Sequence, residues 1–165
     1  MKNKHILSAL VENRPGVLSR TAGLFARRGF NIASIAAGET ADPTVTRMTI
    51  VVDGGEKILE QVEKQLNKQI DVIRVRNLDA DDTTRRELAL IKVHADPQDR
   101  GNVTEIATIM KAKIVDLTPS TMTIEIADRP ERVKQFVSML EPYSIVEMVR
   151  TGMIAMQKGS NSIST

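Results

Sequence analysis

The chain has 165 residues, enough for one ordinary domain or two small ones, and 41% hydrophobic with 27% charged content fits folded cores under a soluble surface. Lys and Arg number 23 against 21 Asp and Glu, so the formal charge of +2 is no polybasic footprint for nucleic acid or an anionic membrane. Cysteine and tryptophan are absent and only three Phe and one Tyr occur, which excludes thiol chemistry, Cys-ligated metal centres and an aromatic base-stacking face.

No apolar run approaches the ~20 residues that span a bilayer. The start of the chain lacks the apolar core of a signal peptide, so a cytoplasmic location without membrane partners is expected. The first element is the apolar run His5-Ile6-Leu7-Ser8-Ala9-Leu10-Val11, which predicts a buried strand. Leu18, Thr21, Ala22 and Phe25 then recur at helical spacing and predict a helix from about Pro15 to Arg28, with Arg20, Arg27 and Arg28 facing water and Gly29 ending it.

Between strand and helix runs Asn13-Arg14-Pro15-Gly16-Val17-Leu18-Ser19-Arg20. Pro15 falls near the first helical position, where its missing N–H costs nothing, and Gly16 lets another group approach the backbone. The first free amides of such a helix suit a carboxylate or phosphate, and the Asn13 side chain both donates and accepts hydrogen bonds. Taken alone, Asn-x-Pro-Gly is an ordinary tight turn; its meaning has to come from context.

Phe30 to Ala37 alternates large with small residues and predicts a strand, and Ala41-Asp42-Pro43 turns into a second β-rich run, Val45 to Val52. Asp53-Gly54-Gly55 breaks it, Ile58, Leu59, Val62 and Leu66 mark a helix face, and Ile70 to Val75 returns as a strand. Residues 78–86 read as a linker rich in Asp and Thr. Beyond it come a strand over Leu88 to Val93, a helix marked by Val103, Ile106, Ala107 and Met110, and strands at Lys113 to Leu117 and Met122 to Ile126. Val133, Phe136, Val137 and Leu140 mark a last helix, and Ile145 to Met156 a last strand. The Met residues sit mostly within these apolar runs and read as core filler.

The order β-α-β-β-α-β thus occurs twice. A gapless shift of 74 places Met48-Thr49-Ile50 on Met122-Thr123-Ile124, Gln61 on Gln135, Leu66 on Leu140 and Val75-Arg76 on Val149-Arg150, the mark of an internal repeat. The fold class is α+β, two ferredoxin-like βαββαβ domains in tandem: residues 1–77, then 87–158, with a disordered tail at 159–165. Units of about 75 residues have modest cores and one bare sheet face, so pairing between copies, a homodimer at least, is expected. The opening turn has no twin, because Pro97-Gln98-Asp99-Arg100-Gly101 stands in its place; small-molecule binding therefore belongs to the first unit only.

Catalytic groups do not assemble in the sequence. His5 and His94 lie far apart, no metal-spaced cluster or phosphate loop with a Lys is present, and Glu12 has no second acid or nucleophile beside it. Arg14 in the first turn keeps acylphosphatase-type chemistry in view, without supporting groups. Asn31 opens the second strand, which this fold puts at the rim of its sheet. Asn13 of one chain and Asn31 of another then enclose a small zwitterion, with Val17, Leu18 and Ile32 as the apolar wall, a site for a compact aliphatic amino acid.

The motifs Asn13 to Arg20, Gly23-Leu24-Phe25, Arg28-Gly29-Phe30-Asn31-Ile32, Asp42-Pro43-Thr44 with Arg47-Met48-Thr49, and Arg86-Glu87-Leu88-Ala89-Leu90-Ile91-Lys92-Val93 resemble the regulatory (small) subunits of acetolactate synthase, also called acetohydroxyacid synthase. The resemblance runs to about Met156. It implies an N-terminal ACT domain that binds a branched-chain amino acid, typically valine, across a homodimer interface through Asn13, Gly16, Val17 and Leu18 of one copy and Asn31 and Ile32 of the other. It also implies a second domain that contacts and activates a separate catalytic subunit in valine, leucine and isoleucine biosynthesis. The chain is then no enzyme by itself and holds no metal or cofactor, since thiamine diphosphate, Mg²⁺ and FAD belong to that partner. Ala33 departs from the acidic residue many members carry after Asn-Ile. A stand-alone amino-acid sensor of the ACT type, acting on another enzyme or on transcription, is the alternative.

Overall fold

The computed structural model describes residues 4–163. Two compact units divide the chain, and the division is not a simple cut: the second unit, Arg85–Gly152, is inserted into the first, to which the chain returns at Met153.

In the first unit, β1 (Lys4–Glu12), α1 (Val17–Arg28), β2 (Asn31–Glu39), β3 (Val45–Asp53), α2 (Glu56–Leu66) and β4 (Val72–Leu78) follow one another. The antiparallel sheet has the order β2-β3-β1-β4. Leu7, Ala9 and Val11 of β1, with Met48, Ile50 and Val52 of β3, point to one face, as the two-residue period requires. There they meet Val17, Leu24 and Phe25 of α1 and Val62 and Leu66 of α2. Residues Val17, Thr21, Leu24 and Phe25, spaced i, i+4, i+7 and i+8, are the buried stripe of α1. Burial of each fully enclosed side chain, Phe25 among them, contributes about 1.5–3 kcal/mol. Gly29 ends the helix at φ 68°, its N–H donating to Ala26 O and the next amide, of Phe30, to Phe25 O, the paired closure for which a left-handed glycine is favoured.

The second unit runs β5 (Thr83–His94), α3 (Arg100–Ile109), β6 (Lys113–Leu117), β7 (Thr121–Asp128), α4 (Pro130–Leu140) and β8 (Ile145–Arg150). Its strands take the order β6-β7-β5-β8, the same topology as the first sheet. Ala89, Ile91, Val93, Met122, Ile124 and Ile126 face Val103, Ala107, Val133, Phe136 and Leu140 of the helices. A bidentate pair, Arg150 Nε and Nη2 to the Glu87 carboxylate at 2.8 and 2.7 Å, ties β8 to the start of β5.

The α+β class and the doubled βαββαβ order hold, but several expectations fail for identifiable reasons. Met48 and Met122, Ile50 and Ile124, Val62 and Phe136, and Leu66 and Leu140 are core residues of their units, so the repeat is genuine in these elements. In the last strands it is not. Val75 lies opposite Ala9 on the helix-covered face, whereas Val149 lies opposite Leu90 on the other face and is 58% exposed. A slip of register turns every side chain over, so the Val-Arg identity there is coincidence.

The segment read as one strand from Ile145 to Met156 is interrupted, with Gly152 at φ 79°, and resumes as β9 (Ile154–Gln157) within the first unit. The stretch read as a linker contains only a short turn before β5, and Thr83 there is 5% exposed. The tail read as lacking order contributes Ile163, which is buried; Ser164 and Thr165 lie outside the described residues. Finally, the face of the first sheet turned away from its helices is not bare, because Ile6 of β1 and Leu78 of β4 pack against Ala155 of β9.

Candidate functional site

The turn after β1 is anchored on both sides. Glu12 N–H donates to Asp71 O at 2.9 Å and Asn13 N–H to Thr44 O at 2.7 Å, so the backbone is wedged between the start of β4 and the β2–β3 connection. The Asn13 side chain extends this hold, Nδ2 donating to Pro43 O at 2.9 Å and to Glu39 Oε1 at 3.1 Å. Its Oδ1 accepts no hydrogen bond among the described residues. The connection is itself stiffened by Asp42, whose Oδ1 accepts from the Thr44 hydroxyl and the Thr44 N–H. These two bonds hold its carboxyl below the usual carboxylate range.

Pro15 does not begin the helix. Gly16 is its N-cap at φ 85°, a left-handed conformation suited to glycine, and α1 starts at Val17. A Cβ at Gly16 would stand 2.8 Å from Arg20 Nη1. Arg20 folds back over this corner while its Nε and Nη2 each reach Asp71 Oδ2 at 2.7 Å. Val17 is 3% exposed and belongs to the core, so it cannot wall a ligand pocket with its side chain; the structure corrects that expectation. Leu18, 51% exposed, remains available. The amides of Leu18 and Ser19 lie in the first turn, where no intrahelical carbonyl reaches them.

The corner therefore offers two backbone donors, a guanidinium and an amide oxygen next to an exposed leucine. Such a set of groups is chemically suited to a carboxylate carried on a small, partly apolar molecule. Glu12 is held by Arg14 Nε at 3.1 Å.

Asn31 lies elsewhere. It opens β2 opposite Asp53, to which its Nδ2 donates at 2.8 Å, and Lys4 Nζ stands 3.8 Å from the same carboxylate. Ile32 follows, half-buried against the first core, and Ala33 sits exposed where the register shifts. Asn13 is beyond the Val45 end of β3 and Asn31 beside its Asp53 end. Eight residue steps at ~3.3 Å put the two amides about 26 Å apart. One chain does not bring them together.

Arg20 is exposed, as expected, but its reach to Asp71 and the roles of Glu39, Pro43 and Thr44 as partners of Asn13 have no sequence signature of their own. The i, i+4 spacing of Gly16 and Arg20 was the one available signal. In the second unit the turn before α3 is bridged differently: Arg100 donates to Ala95 O at 3.2 Å and to Thr118 O at 2.8 Å, where the first unit uses Asn13. Among the described residues no cluster of three or more His, Cys, Asp or Glu could hold a metal ion. No helix there is long and apolar enough to cross a membrane.

Comparison with known proteins bears on both units. Residues 7–74 match a family model described as the AHAS small subunit-like ACT domain, and residues 86–159 one described as the small subunit of acetolactate synthase. A probable acetolactate synthase small subunit of Methanothermobacter thermautotrophicus is 46% identical over 96% of this chain and 95% of its own length. The acetolactate synthase small subunit of Mycolicibacterium smegmatis is 45% identical over 96% of this chain and 94% of its own. The crystal structure of the acetolactate synthase small subunit from Thermotoga maritima superposes with a TM-score of 0.89 at 39% identity, covering 96% of this chain and 99% of that one.

Proposed function

The chain belongs to the family of acetolactate synthase small subunits, and on that premise we propose that it binds a separate catalytic subunit, raises its activity and subjects it to feedback by valine. The chemistry, with its thiamine diphosphate, Mg²⁺ and FAD, resides in that cytoplasmic partner. This chain contributes recognition and coupling.

The observation that carries the reading is the hydrogen bond between Asn13 and Glu39, the last residue of β2. β2 is the rim of its sheet, with one edge unpaired among the described residues. Two copies joined antiparallel along this edge by a two-fold axis would set the Asn31 end of one β2 beside the Glu39 end of the other. Asn31 and Ile32 of the second copy would thereby reach the corner formed by Asn13, Gly16 and Leu18 of the first. The two amides, 26 Å apart in one chain by the ~3.3 Å strand rise, would become the two sides of one site, and the dimer would carry two such sites.

In this arrangement the valine carboxylate faces the Leu18 and Ser19 amides and the Arg20 guanidinium. The ammonium meets the Asn13 and Asn31 amide oxygens, and the isopropyl group rests on Leu18 and Ile32. Val17 contributes through its backbone alone. Valine bound between two copies favours one dimer arrangement over another, and the catalytic partner reads that difference. A coupling of about 1–3 kcal/mol is typical, and partner binding must shift valine affinity by the same factor.

Mixing the purified chain with an acetolactate synthase catalytic subunit and titrating valine tests the reading. The expected result is a faster synthase without valine and progressive loss of rate with it. A synthase indifferent to the chain would overturn the proposal and favour a free-standing amino-acid sensor.

A further inference from the structure

The C-terminal segment lies on the open face of the first sheet, and the way it is held is unusual. Arg47 Nη2 donates to Ala155 O at 2.9 Å, Arg74 Nη1 to Ile163 O at 3.1 Å, and Arg76 Nη1 to Ser162 O at 2.8 Å and Gln157 Oε1 at 3.3 Å. The three arginines share one face because Arg47 and Arg74 both lie opposite Leu10, and Arg76 lies opposite Ser8. All their acceptors are neutral oxygens. None of the three forms an ion pair among the described residues.

Gln157 Nε2 and Lys158 Nζ add bonds to Asp82 Oδ2 at 3.2 Å and Asp81 O at 2.7 Å, in the turn before β5, but the apolar part of the closure is small. Beneath the segment, Ser8 is fully buried and its Oγ has no hydrogen-bond partner among the described residues. Ala155 and Ile163 turn inward, while Ile154 and Met156 are 57% and 62% exposed. A cover with so little apolar contact, an orphaned hydroxyl beneath it and cations matched only by carbonyls belongs at the low-stability end of local opening.

The far end of the segment meets the functional corner. Ile163 and Arg74 line a cleft of about 320 Å³ with Leu10, Thr40, Asp42 and Val45. Thr40, Asp42 and Val45 frame the connection whose Pro43 and Thr44 carbonyls hold Asn13. One short turn thus forms the wall of the cleft on one side and the seat of Asn13 on the other.

We propose that Met153–Ile163 is a strap, opened and closed on the sheet of the first unit by the β2–β3 turn, so that occupancy of the Asn13 corner sets how firmly the strap is held. The proposal rests on the effector reading above. The strap is also the covalent return from the second unit. A ligand that shifts the turn therefore acts on one of the two chain connections of that unit, with no contact of its own there. What makes it a switch is differential affinity: valine need only bind the two strap states unequally.

Amide hydrogen exchange on the full chain tests this in two arms. In the first, Arg74→Gln/Arg76→Gln and, separately, Ile163→Ala are compared with wild type. Exchange at Lys158, whose N–H bonds Asp82 O, should rise at least ~10-fold. Exchange at Thr40 and Val45, whose N–H groups close the turn, should rise with it by at least ~3-fold. A loosened strap with turn amides at wild-type rates would overturn the proposal, and so would a strap unmoved in both variants. If the double variant fails to fold by circular dichroism, Ile163→Ala carries the comparison.

In the second arm, calorimetry measures whether valine binds the wild-type chain, and exchange is repeated with valine present. Valine binding that leaves Lys158 protection unchanged would remove the strap's sensing role and leave the effector reading standing. Absence of valine binding would remove the effector reading, and the linkage of strap to turn would still be decided by the first arm.

Discussion

Gly16→Ala isolates the corner that holds the proposed ligand. Gly16 stands at φ 85°, and a residue with a Cβ pays about 1–2 kcal/mol in that left-handed region. The new methyl would also arrive 2.8 Å from Arg20 Nη1, closer than van der Waals contact allows. The guanidinium can swing away, since the Arg20 side chain is 52% exposed, but it then loosens its grip on Asp71, which is 10% exposed. Weakening a charge-assisted bond to a buried carboxylate adds about 1 kcal/mol after discounting for the exposed partner. The total expected from urea unfolding is about 2–3 kcal/mol. In an Arg20→Ala background the steric part vanishes and only about 1–2 kcal/mol remains, so the double-mutant cycle should return a coupling near 1 kcal/mol. A cost below about 0.5 kcal/mol, or the same cost in both backgrounds, would refute this account of why glycine and arginine stand four residues apart.

Three further substitutions probe other parts of the molecule. Lys111 closes α3 at φ 57°, so Lys111→Gly should stabilise by about 0.5–1 kcal/mol, the strain relieved less the entropy glycine loses on folding; destabilisation on urea titration would contradict it. Phe136 is fully buried among Val133, Leu140, Ile124 and their neighbours, so Phe136→Ala should cost the second unit about 3–5 kcal/mol, and a loss under about 1.5 kcal/mol would mean that the site collapses around the void. At Asp128, burial pushes the carboxyl up, but bonds from Arg129 N–H and Arg132 Nε and the charges of Arg132 and Arg86 outweigh it and leave it below the usual value of 3.8. A carboxyl depressed by folding adds stability above its unfolded pKa and loses it as pH falls through the folded one. Asp128→Asn should therefore cost about 0.5–1 kcal/mol at pH 7 and nearly nothing at pH 2; a difference independent of pH would contradict the assignment.

Much of this was legible in the sequence because periodicity reports burial directly. The spacing of Thr21, Phe25, Val62, Leu66, Phe136 and Leu140 marks helix faces that the structure buries, although Leu18 and Ala22, read into the same stripe of α1, are exposed and Val17 and Leu24 take their place; the apolar runs of β1, β3, β5 and β7 mark the strands they meet. The seat of Asn13 was not legible. Glu39 and Pro43 come to it only once β2 and β3 are paired, and Asp71 reaches Arg20 across 51 positions of chain. Val17 looked available because the helix was expected from about Pro15, whereas it starts at Val17 after the left-handed Gly16 and Val17 faces the core. The strap escaped for a similar reason. Met153 to Met156 is apolar enough to extend a strand, and nothing in its pattern says that Gly152 turns the chain back to the first unit. Arg47, Arg74 and Arg76 read as ordinary polar positions of strands until the register sets them on one face.

The central claim is that the site is completed by a second copy, and mixing two defective chains tests it most directly. Asn13→Ala and Asn31→Ala should each abolish high-affinity valine binding when alone. Co-refolded in equal amounts under two-fold symmetry, half of the dimers are mixed and each mixed dimer has one site with both asparagines, so calorimetry should recover wild-type affinity at about a quarter of the sites. A mixture with no wild-type sites, while each parent still dimerises, would contradict a site shared between two copies.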